Sequence, residues 1–409
     1  MKKKLLIPLF TCVFLSTSFS QQAGYPDFEI VESIPIETSL DNPDIRNTHE
    51  VWLEMINGAR KSLDIEEFYI SNQAGEPLDD IIKAIVAASE RGVQVRVIAD
   101  ARMYKTYPET VDMLGKQKNI KAHTIDFGKL AGGVQHSKYF IVDGNEVFLG
   151  SQNFDWRSLR HIHELGIRIA NGEATRIYSD IFDLDWKLSE TNDKALIGTL
   201  LKKETYPVPF KIVEGASDTL TYYPTMSPKG LITDEKLWDE TNIVGLINGA
   251  KSDVMCQFLT YSPATRDKSF YPALDNALRS AAARGVKVKM IVSDWDKEHP
   301  TVDHLKSLAL VPNIEVKFSS IPEWSGGYIS FARVEHCKYL IIDSSQCWLG
   351  TSNWEKGYFY NLRNVGVVAT NNKITGILRN IFFRGWNGPY TELIKPEVDY
   401  KPREHGERK

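Results

Sequence analysis

The stretch that decides the fold reads His136-Ser137-Lys138, then Asp143, then Gly150-Ser151-Gln152-Asn153. It returns as His336-Cys337-Lys338, Asp343 and Gly350-Thr351-Ser352-Asn353, with every spacing kept and a uniform shift of 200 positions. Chance does not preserve such a spacing twice in one chain. The two copies therefore predict that the protein is built from two halves of one design.

The duplication extends well beyond this motif. Ile56-Asn57-Gly58-Ala59-Arg60 recurs as Ile247-Asn248-Gly249-Ala250-Lys251, and Arg91-Gly92-Val93 recurs as Arg284-Gly285-Val286. The offset stays at about 190 to 200 residues, a period that indicates duplicated structural units. Both copies of the Ile-Asn-Gly-Ala segment precede a strand-like run, and both copies of the Arg-Gly-Val segment end an alanine-rich helical segment.

Within each half, strands alternate with helices of ordinary length. In the first half the apolar periodicity predicts helices near Pro77–Glu90, Glu109–Lys116 and Ala174–Ser189, and strands near Val93–Ala99, Lys138–Val142 and Val147–Leu149. Such alternation favours sheets covered by helices on both faces. The predicted fold class is therefore α/β, with two duplicated α/β sandwich domains, mainly parallel or mixed sheets, and a pseudo-twofold relation.

The length of 409 residues exceeds a comfortable single core and suits two domains. We expect a first domain over residues 21–202 and a second over 230–395. Four prolines and weak periodicity predict a linker over 203–229, and the polar end predicts a flexible tail over 396–409.

The first twenty residues resemble a cleavable signal peptide. Three lysines precede an apolar stretch from Leu5 to Leu15 and a small-residue ending at Ser18-Phe19-Ser20. We expect cleavage after Ser20, a secreted or periplasmic location, and no stable membrane insertion afterwards. Cleavage removes three lysines and no acid, which takes the formal charge from −4 to −7. A protein that coats duplex nucleic acid would carry the opposite sign, so attraction to phosphate must be local.

The residue types of the motif suit a phosphate. Positions i and i+2 of a strand share a face, so His136 and Lys138 emerge together, as do His336 and Lys338. Glycine lets the backbone approach a ligand, and the hydroxyl and amide groups that follow supply neutral donors. These phosphate-binding or supporting residues are Ser151, Asn153, Thr351 and Asn353. We expect the two halves to surround one phosphorus atom.

The chemistry requires one neutral imidazole to attack phosphorus and one protonated imidazole to protonate the leaving oxygen. Glu164 lies 28 positions after His136 and is expected to orient that ring, whereas the counterpart after His336 is Asn364, which cannot balance charge. This difference makes His136 the predicted nucleophile and His336 the predicted acid. The lysines would balance the charge on the phosphate oxygens, with no metal and no cofactor.

Other candidates have structural interpretations that compete with functional ones. Asp143 and Asp343 belong to the repeated motif, and we group them with the catalytic residues, yet their position near a turn favours a bracing role. Three further histidines are expected to be structural: His123, His161 and His163. Four aromatic residues after the motifs could stack on bases or belong to the core: Trp156, Trp354, Tyr358 and Phe359.

The doubled motif resembles that of the phospholipase D superfamily. Two sequences, GSQNFDWRSL (Gly150 to Leu159) and GTSNWEKGYF (Gly350 to Phe359), resemble those of the lysosomal phospholipase-D-like 5′-exonucleases and their poxviral and bacterial relatives. The resemblance to this branch extends from about Ser33 to about Tyr390. This resemblance implies metal-independent hydrolysis of a phosphodiester, with single-stranded nucleic acid as the favoured substrate. A phospholipase D or phosphatidyltransferase and a non-catalytic phosphate-binding module remain the alternatives. Because the duplication can complete the site within one chain, we expect a monomer.

Overall fold

The structure is a computed structural model, which describes residues 24–214, 218–265 and 269–406. The expected signal peptide, residues 1–20, lies outside the described residues. In the part of the chain that is described, no helix is both long enough and apolar enough to cross a bilayer.

The first half forms one large sheet with flanking helices. Its strands are β1 (Gly24–Tyr25), β2 (Phe28–Ser33), β3 (Arg46–Asn47), β4 (Ser62–Glu67), β5 (Ile70–Ser71), β6 (Gln94–Asp100), β7 (Ile120–Ile125), β8 (Lys138–Val142), β9 (Glu146–Gly150), β10 (Phe154–Asp155) and β11 (Glu164–Ala170). Its helices are α1 (Thr48–Gly58), α2 (Pro77–Glu90), α3 (Ala101–Tyr104), α4 (Glu109–Gly115), α5 (Phe127–Leu130), α6 (Gly172–Ser189) and α7 (Ile197–Leu200).

The second half repeats this arrangement. Its strands are β12 (Phe210–Glu214), β13 (Asp218–Ser227), β14 (Asp253–Phe258), β15 (Tyr261–Ser262), β16 (Lys287–Ser293), β17 (Ile314–Ser319), β18 (Tyr339–Ile342), β19 (Gln346–Gly350), β20 (Trp354–Glu355), β21 (Asn364–Thr370) and β22 (Thr391–Leu393). Its helices are α8 (Asp239–Gly249), α9 (Ala273–Ala283), α10 (Thr301–Ala309), α11 (Lys356–Tyr360) and α12 (Asn372–Asn387).

The two sheets share one strand order. The first runs β1-β2-β11-β9-β8-β4-β6-β7, and the second runs β12-β13-β21-β19-β18-β14-β16-β17-β22. The strands β4, β6 and β7 are parallel because α2 and α4 cross between them, whereas β4, β8, β9, β11 and β2 pair antiparallel. The predicted α/β fold with duplicated, mixed sheets is confirmed. The parallel pairs lie at the β4-β6-β7 and β14-β16-β17 sides of the sheets, apart from the short strand β3, which pairs parallel with β2.

Local sequence explains why α2 begins and ends where it does. Pro77 occupies the first turn, where its missing N–H costs nothing, and the buried face of the helix carries Leu78, Ile81 and Ile85. Gly92 then adopts a φ of 100°, a conformation that few other residues tolerate, and β6 follows. The predicted bounds of this helix and of β8 agree with the structure.

The expected linker over residues 203–229 is wrong in its central and final parts. β12 and β13 lie within this segment, and β13 pairs with β21 from Thr221 to Ser227 as an inner strand of the second sheet. Pro224 fits there although proline cannot donate to a ladder. Its neighbours mix polar and apolar residues without regular alternation, so periodicity alone did not reveal the strand.

The described part of the expected flexible tail, residues 396–406, lies against the second half. The His405 ring stacks on Trp295 with centroids 4.2 Å apart, and the Phe331 N–H donates to the His405 carbonyl oxygen (2.6 Å). Arg403 Nη1 donates to the Ile321 carbonyl oxygen (2.7 Å). These contacts, rather than apolar periodicity, hold the segment in place.

A continuous apolar core joins the two halves. It includes buried side chains from β11 and α6 of the first half and from β13 and β21 of the second. Phe28 and Tyr222 meet across it with centroids 5.1 Å apart, and the Tyr178 hydroxyl donates to the Gly366 carbonyl oxygen (3.0 Å). The strands that carry the repeated motif therefore face one another across this core.

Candidate active site

The segments that precede the two motif histidines cross to the opposite half. Gln135 bridges Arg363, and Glu335 bridges His163, both in parallel pairing. The His136 N–H donates to the Arg363 carbonyl oxygen (3.0 Å), and the His336 N–H donates to the His163 carbonyl oxygen (2.9 Å). Because β11 begins at Glu164 and β21 at Asn364, each histidine lies beside the first residue of the opposite half's strand.

This crossing decides which side chain orients each ring. His336 Nδ1 lies 2.5 Å from Glu164 Oε1, and His136 Nδ1 lies 2.9 Å from Asn364 Oδ1. The expectation that Glu164 orients His136 is therefore wrong, because the partner of each ring comes from the other half. The reasoning that made His136 the nucleophile now applies to His336.

The hydroxyl residues of the motif join the same crossed arrangement. Thr351 Oγ1 donates to Asn364 Oδ1 (2.9 Å), and Ser151 Oγ accepts from the Leu165 N–H (3.1 Å), next to Glu164. Burial lowers the pKa of both imidazoles, and the backbone of Thr351 opposes this at His136 as the backbone of Ser151 does at His336. Each imidazole thus has its hydrogen-bond partner, and the hydroxyl residue next to that partner, in the other half.

The two lysines lie with the histidines. Lys138 Nζ donates to the His136 carbonyl oxygen (2.5 Å), and Lys338 Nζ donates to the His336 carbonyl oxygen (2.8 Å). Burial lowers the pKa of Lys138, as does the charge of Lys338. Burial lowers the pKa of Lys338 to about 7, against the opposing charges of Glu164 and Glu335. An anionic ligand would relieve the mutual repulsion of the two ammonium groups.

Both imidazoles are poor bases in this environment. Burial lowers the pKa of His136 and His336 well below the ordinary value, and the charges of Lys138 and Lys338 lower both further. Burial raises the pKa of Glu164, against the Ser158 hydroxyl and the lysine charges. Because the charge of each lysine acts on both rings, the four buried groups are close enough to interact electrostatically.

The motif amides are buried beside these groups. Asn153 and Asn353 are 6% and 1% exposed, and within the described residues the side-chain oxygen of each is buried without a hydrogen-bond partner. The amide nitrogen of Asn353 donates to the Tyr358 hydroxyl (2.9 Å). Rotating an amide by half a turn exchanges its oxygen for a donor, which is what phosphate oxygens require.

Asp143 and Asp343 lie away from this cluster, at the opposite ends of β8 and β18. The Asp143 carboxylate accepts from the backbone N–H groups of Arg60, Lys61 and Ser62 at 2.7 to 3.2 Å. Asp343 makes the equivalent bonds to residues 251–253. Partial burial raises the pKa of Asp143, but these N–H groups bring it below the ordinary value. The structure therefore does not place the two aspartates with the other predicted catalytic residues, and the bracing interpretation fits their contacts.

Two residues at the end of β4 join the site although nothing in the motif pointed to them. Phe68 lies with its ring centroid 5.0 Å from that of His136, and the charge of Glu67 acts on Lys138. The available signal was positional, since β4 pairs with the motif strand β8 and ends at the same edge. Of the aromatic candidates, Tyr358 contacts the His136 ring edge-on at 5.0 Å, whereas Trp354 and Phe359 are buried in the core.

His163, Glu335 and Cys337 form the group of potential metal ligands in the described ranges. His163 Nδ1 lies 2.7 Å from Glu335 Oε2, and the Cys337 N–H donates to Glu335 Oε1 (3.1 Å). These bonds give the His163 and Glu335 side chains a structural role at the crossing of the two halves, as expected for His163. The absence of a metal from the chemistry stays a prediction.

A family profile described as "Cardiolipin synthase, PLD-like domain" matches residues 52–186 and again residues 243–386. The two matches enclose the two motifs and cover more than half of the chain. The chain belongs to the phospholipase D superfamily. It is accordingly an enzyme of the phosphodiesterase class, with two superfamily domains in one polypeptide.

Relatives in this superfamily carry different activities in their names. The chain is 31% identical to "Phospholipase D Z" of Dictyostelium discoideum, over 96% of this chain and 98% of that relative. It is 30% identical to "5'-3' exonuclease PLD3" of Rattus norvegicus, over 90% of this chain and 81% of that relative. It is 31% identical to the "Virion nicking-joining enzyme" of Vaccinia virus, over 88% of each.

A solved structure supports the fold. The phosphatidylserine synthase of Haemophilus influenzae Rd KW20 superposes with a TM-score of 0.65, covering 91% of this chain and 88% of that one at 13% identity. At that identity the likeness concerns the fold alone. The shared fold thus covers 91% of the chain.

Proposed function

We propose that this protein is a metal-independent nuclease that hydrolyses single-stranded nucleic acid through a phosphohistidine intermediate. The observation that carries the proposal is the pair of crossed contacts, His336 with Glu164 and His136 with Asn364. They hold two imidazoles and two lysines around one buried volume, which suits a phosphodiester.

The contacts support His336 as the nucleophile. Its Nε2 lone pair forms a bond to phosphorus, while the ester bond to the leaving oxygen breaks and that oxygen takes the proton from His136 Nε2. The Glu164 carboxylate stabilises the positive charge that develops on the His336 ring. Water then attacks phosphorus, His136 takes its proton, and the N–P bond breaks. The lysines and the Asn153 and Asn353 amides bind the remaining phosphate oxygens.

A nuclease is favoured by the relatives named as an exonuclease and as a nicking-joining enzyme. The alternative, a phospholipase D or phosphatidyltransferase, is favoured by the names of the Dictyostelium relatives. Both reactions use the same four groups, so the distinction depends on what binds beside the phosphate.

A turnover panel with chelator present tests the proposal. Single-stranded DNA, RNA, bis(4-nitrophenyl) phosphate and phosphatidylcholine are compared at acidic and neutral pH. We expect turnover of the nucleic acids in EDTA, loss of turnover by at least about 10³-fold in His136→Asn and His336→Asn, and full turnover in His299→Asn, an exposed control. Release of choline without cleavage of nucleic acid would select the alternative.

Mapping the covalent intermediate separates the two histidines. After an alkaline quench during turnover, we expect the phosphate on the peptide that contains His336. Recovery of the phosphate on His136 would reverse the roles, and full activity of His336→Asn would end the proposal for that residue.

We also propose that the protein is exported, to the periplasm or the medium, through a signal peptide at residues 1–20. The charged start, apolar stretch and small-residue ending support this. Sequencing of the protein from the extracytoplasmic fraction should give an N-terminus at Gln21. An intact N-terminus on protein retained in the cytoplasm would refute export.

A further inference from the structure

Two aromatic side chains flank the His136 ring. The Phe68 centroid lies 5.0 Å from that of His136 with the planes at 53°, and the Tyr358 centroid lies 5.0 Å away at 88°. His136 is only 6% exposed, whereas Phe68 and Tyr358 are half-buried. The two rings thus cover the imidazole and keep part of their surface accessible beside it.

The equivalent positions in the other half carry no aromatic residue. β4 ends one residue before Phe68, and the matching strand β14 ends one residue before Leu259. Tyr358 corresponds, at the motif shift of 200, to Ser158, whose hydroxyl bonds to Glu164. The pseudo-twofold axis therefore relates an aromatic wall beside His136 to an aliphatic and polar wall beside His336.

A phosphodiester carries two organic groups esterified to phosphorus, here called its arms, and the reaction distinguishes them because only one of them leaves. In an in-line displacement the leaving oxygen departs opposite the nucleophile, next to the acid. With His336 as nucleophile and His136 as acid, the leaving arm lies along the aromatic wall. Whatever that arm carries next to its oxygen meets Phe68 and Tyr358.

The charge at this wall selects among aromatic-binding groups. Aromatic rings bind both planar bases and quaternary ammonium groups. Lys138 Nζ, however, already lies 4.9 Å from the Phe68 centroid, and the charges of Lys138 and Lys338 both reach His136. A cationic headgroup would enter this positive field at a cost, whereas a neutral ring would stack without repulsion.

We propose that Phe68 and Tyr358 form a subsite for the nucleobase of the leaving nucleoside. The inference rests on the proposed function and deepens it, because it assigns a nucleoside, not a choline-like headgroup, to the leaving arm. Phe68 and Tyr358 then determine specificity, whereas the four motif groups carry the chemistry.

The test compares three dinucleoside monophosphates: one with both bases, one whose leaving nucleoside is an abasic deoxyribose, and one whose other nucleoside is abasic. The leaving nucleoside is identified as the product without phosphate. In the wild-type enzyme, loss of the leaving base should lower kcat/KM about tenfold or more, a typical effect of losing a stacked base. Loss of the other base should have a smaller effect.

The informative ratio is kcat/KM for the substrate with both bases divided by kcat/KM for the substrate that lacks one base. Phe68→Leu, which copies Leu259 of the other half, should bring this ratio for the leaving base close to one. Tyr358→Leu should reduce the same ratio. Phe270→Leu, the same change at an exposed ring, should keep the wild-type ratio. Because each ratio compares substrates on one preparation, partial misfolding of a variant does not alter it.

An unchanged ratio in Phe68→Leu would overturn the subsite, as would a loss of discrimination confined to the other nucleoside. Wild-type protein that cleaves none of the dinucleotides but releases choline from phosphatidylcholine would overturn the proposed function itself. Cleavage of all three at equal rates would leave the nuclease intact and remove the subsite alone.

Discussion

Glu164 and Asn364 occupy equivalent positions at the start of β11 and β21, yet they give the two histidines unlike partners. A carboxylate stabilises an imidazolium, while an amide only fixes its orientation. This single difference makes the two otherwise similar rings chemically distinct. It also provides the sharpest mutational test at the scale of one residue.

Glu164→Gln should lower kcat by roughly 10²–10⁴-fold, because the charge that develops on His336 loses its counter-charge. Steady-state kinetics on single-stranded DNA measure the change. The matched variant Asn364→Asp adds a carboxylate beside His136 and should cost less than Glu164→Gln. Equal kcat in Glu164→Gln and the wild type would contradict the assigned role of Glu164.

The pH dependence follows from the lowered pKa values of the two histidines. Activity needs one ring neutral and the other protonated, and burial and the lysine charges bring both pKa values below the ordinary value near 6.5. Activity should therefore rise with increasing pH through the lower pKa and fall through the higher one. Lys338, with a pKa of about 7, loses its charge as the pH rises further, which makes the fall in activity steeper.

We expect kcat/KM to have its optimum below pH 6.5 and to fall continuously from pH 6.5 to 8. A pH series on a dinucleotide substrate at constant ionic strength measures the profile. An optimum at or above pH 8 would show that the histidine pKa values are not lowered.

At the scale of elements, the most informative feature is the turn between α1 and β4. Asp143 and Asp343 adopt φ values of 55° and 50° and bind three successive backbone N–H groups in the equivalent turn of each half. The repeated aspartate thus fastens the far end of the motif strand to the neighbouring element. Its recurrence in the motif reflects folding rather than contact with substrate.

Asp143→Asn keeps a residue that tolerates the left-handed conformation but removes the charge and one acceptor oxygen. We expect the free energy of unfolding to fall by about 1–3 kcal/mol, while kcat per folded molecule stays within about threefold of wild type. Chemical denaturation and active-site titration measure the two quantities. A loss of kcat as large as that in His136→Asn, at unchanged stability, would make Asp143 catalytic after all.

Much of the element content was accessible from the sequence, and its limits have physical causes. Periodicity placed α2 and β8 at their observed bounds, because one apolar face and the flanking proline and glycine act locally. The same reasoning missed β13, because a proline and mixed polarity obscure an inner strand. The short-range pattern of the sequence indicates which residues are buried, but it is a poorer guide to which strands pair with one another.

At the scale of the molecule, the two halves exchange the segments that orient the histidines. The orienting contacts join residues 172 and 228 positions apart, and the buried Arg363–Asp185 ion pair also connects the halves at 2.6 Å. The motif predicted the histidines, lysines and asparagines of the site, but no local pattern encodes which half supplies the partner of each ring. That information lies in the docking of the two sheets.

Because both halves lie in one chain, the site should be complete in a single polypeptide. Mixing or co-expressing His136→Asn with His336→Asn should therefore restore no activity. A fixed-ratio activity assay measures this, with each variant alone as the control. Recovery of up to a quarter or a half of wild-type turnover would mean that sites form between chains.

The central claim is that one phosphorus atom is held by histidines from both halves. The structure of the wild-type protein with orthovanadate tests it most directly. We predict one vanadate per chain, with His336 Nε2 bonded at one apex and His136 Nε2 hydrogen-bonded to the oxygen at the other. Two vanadates per chain, each held by the histidine and lysine of a single half, would contradict the account.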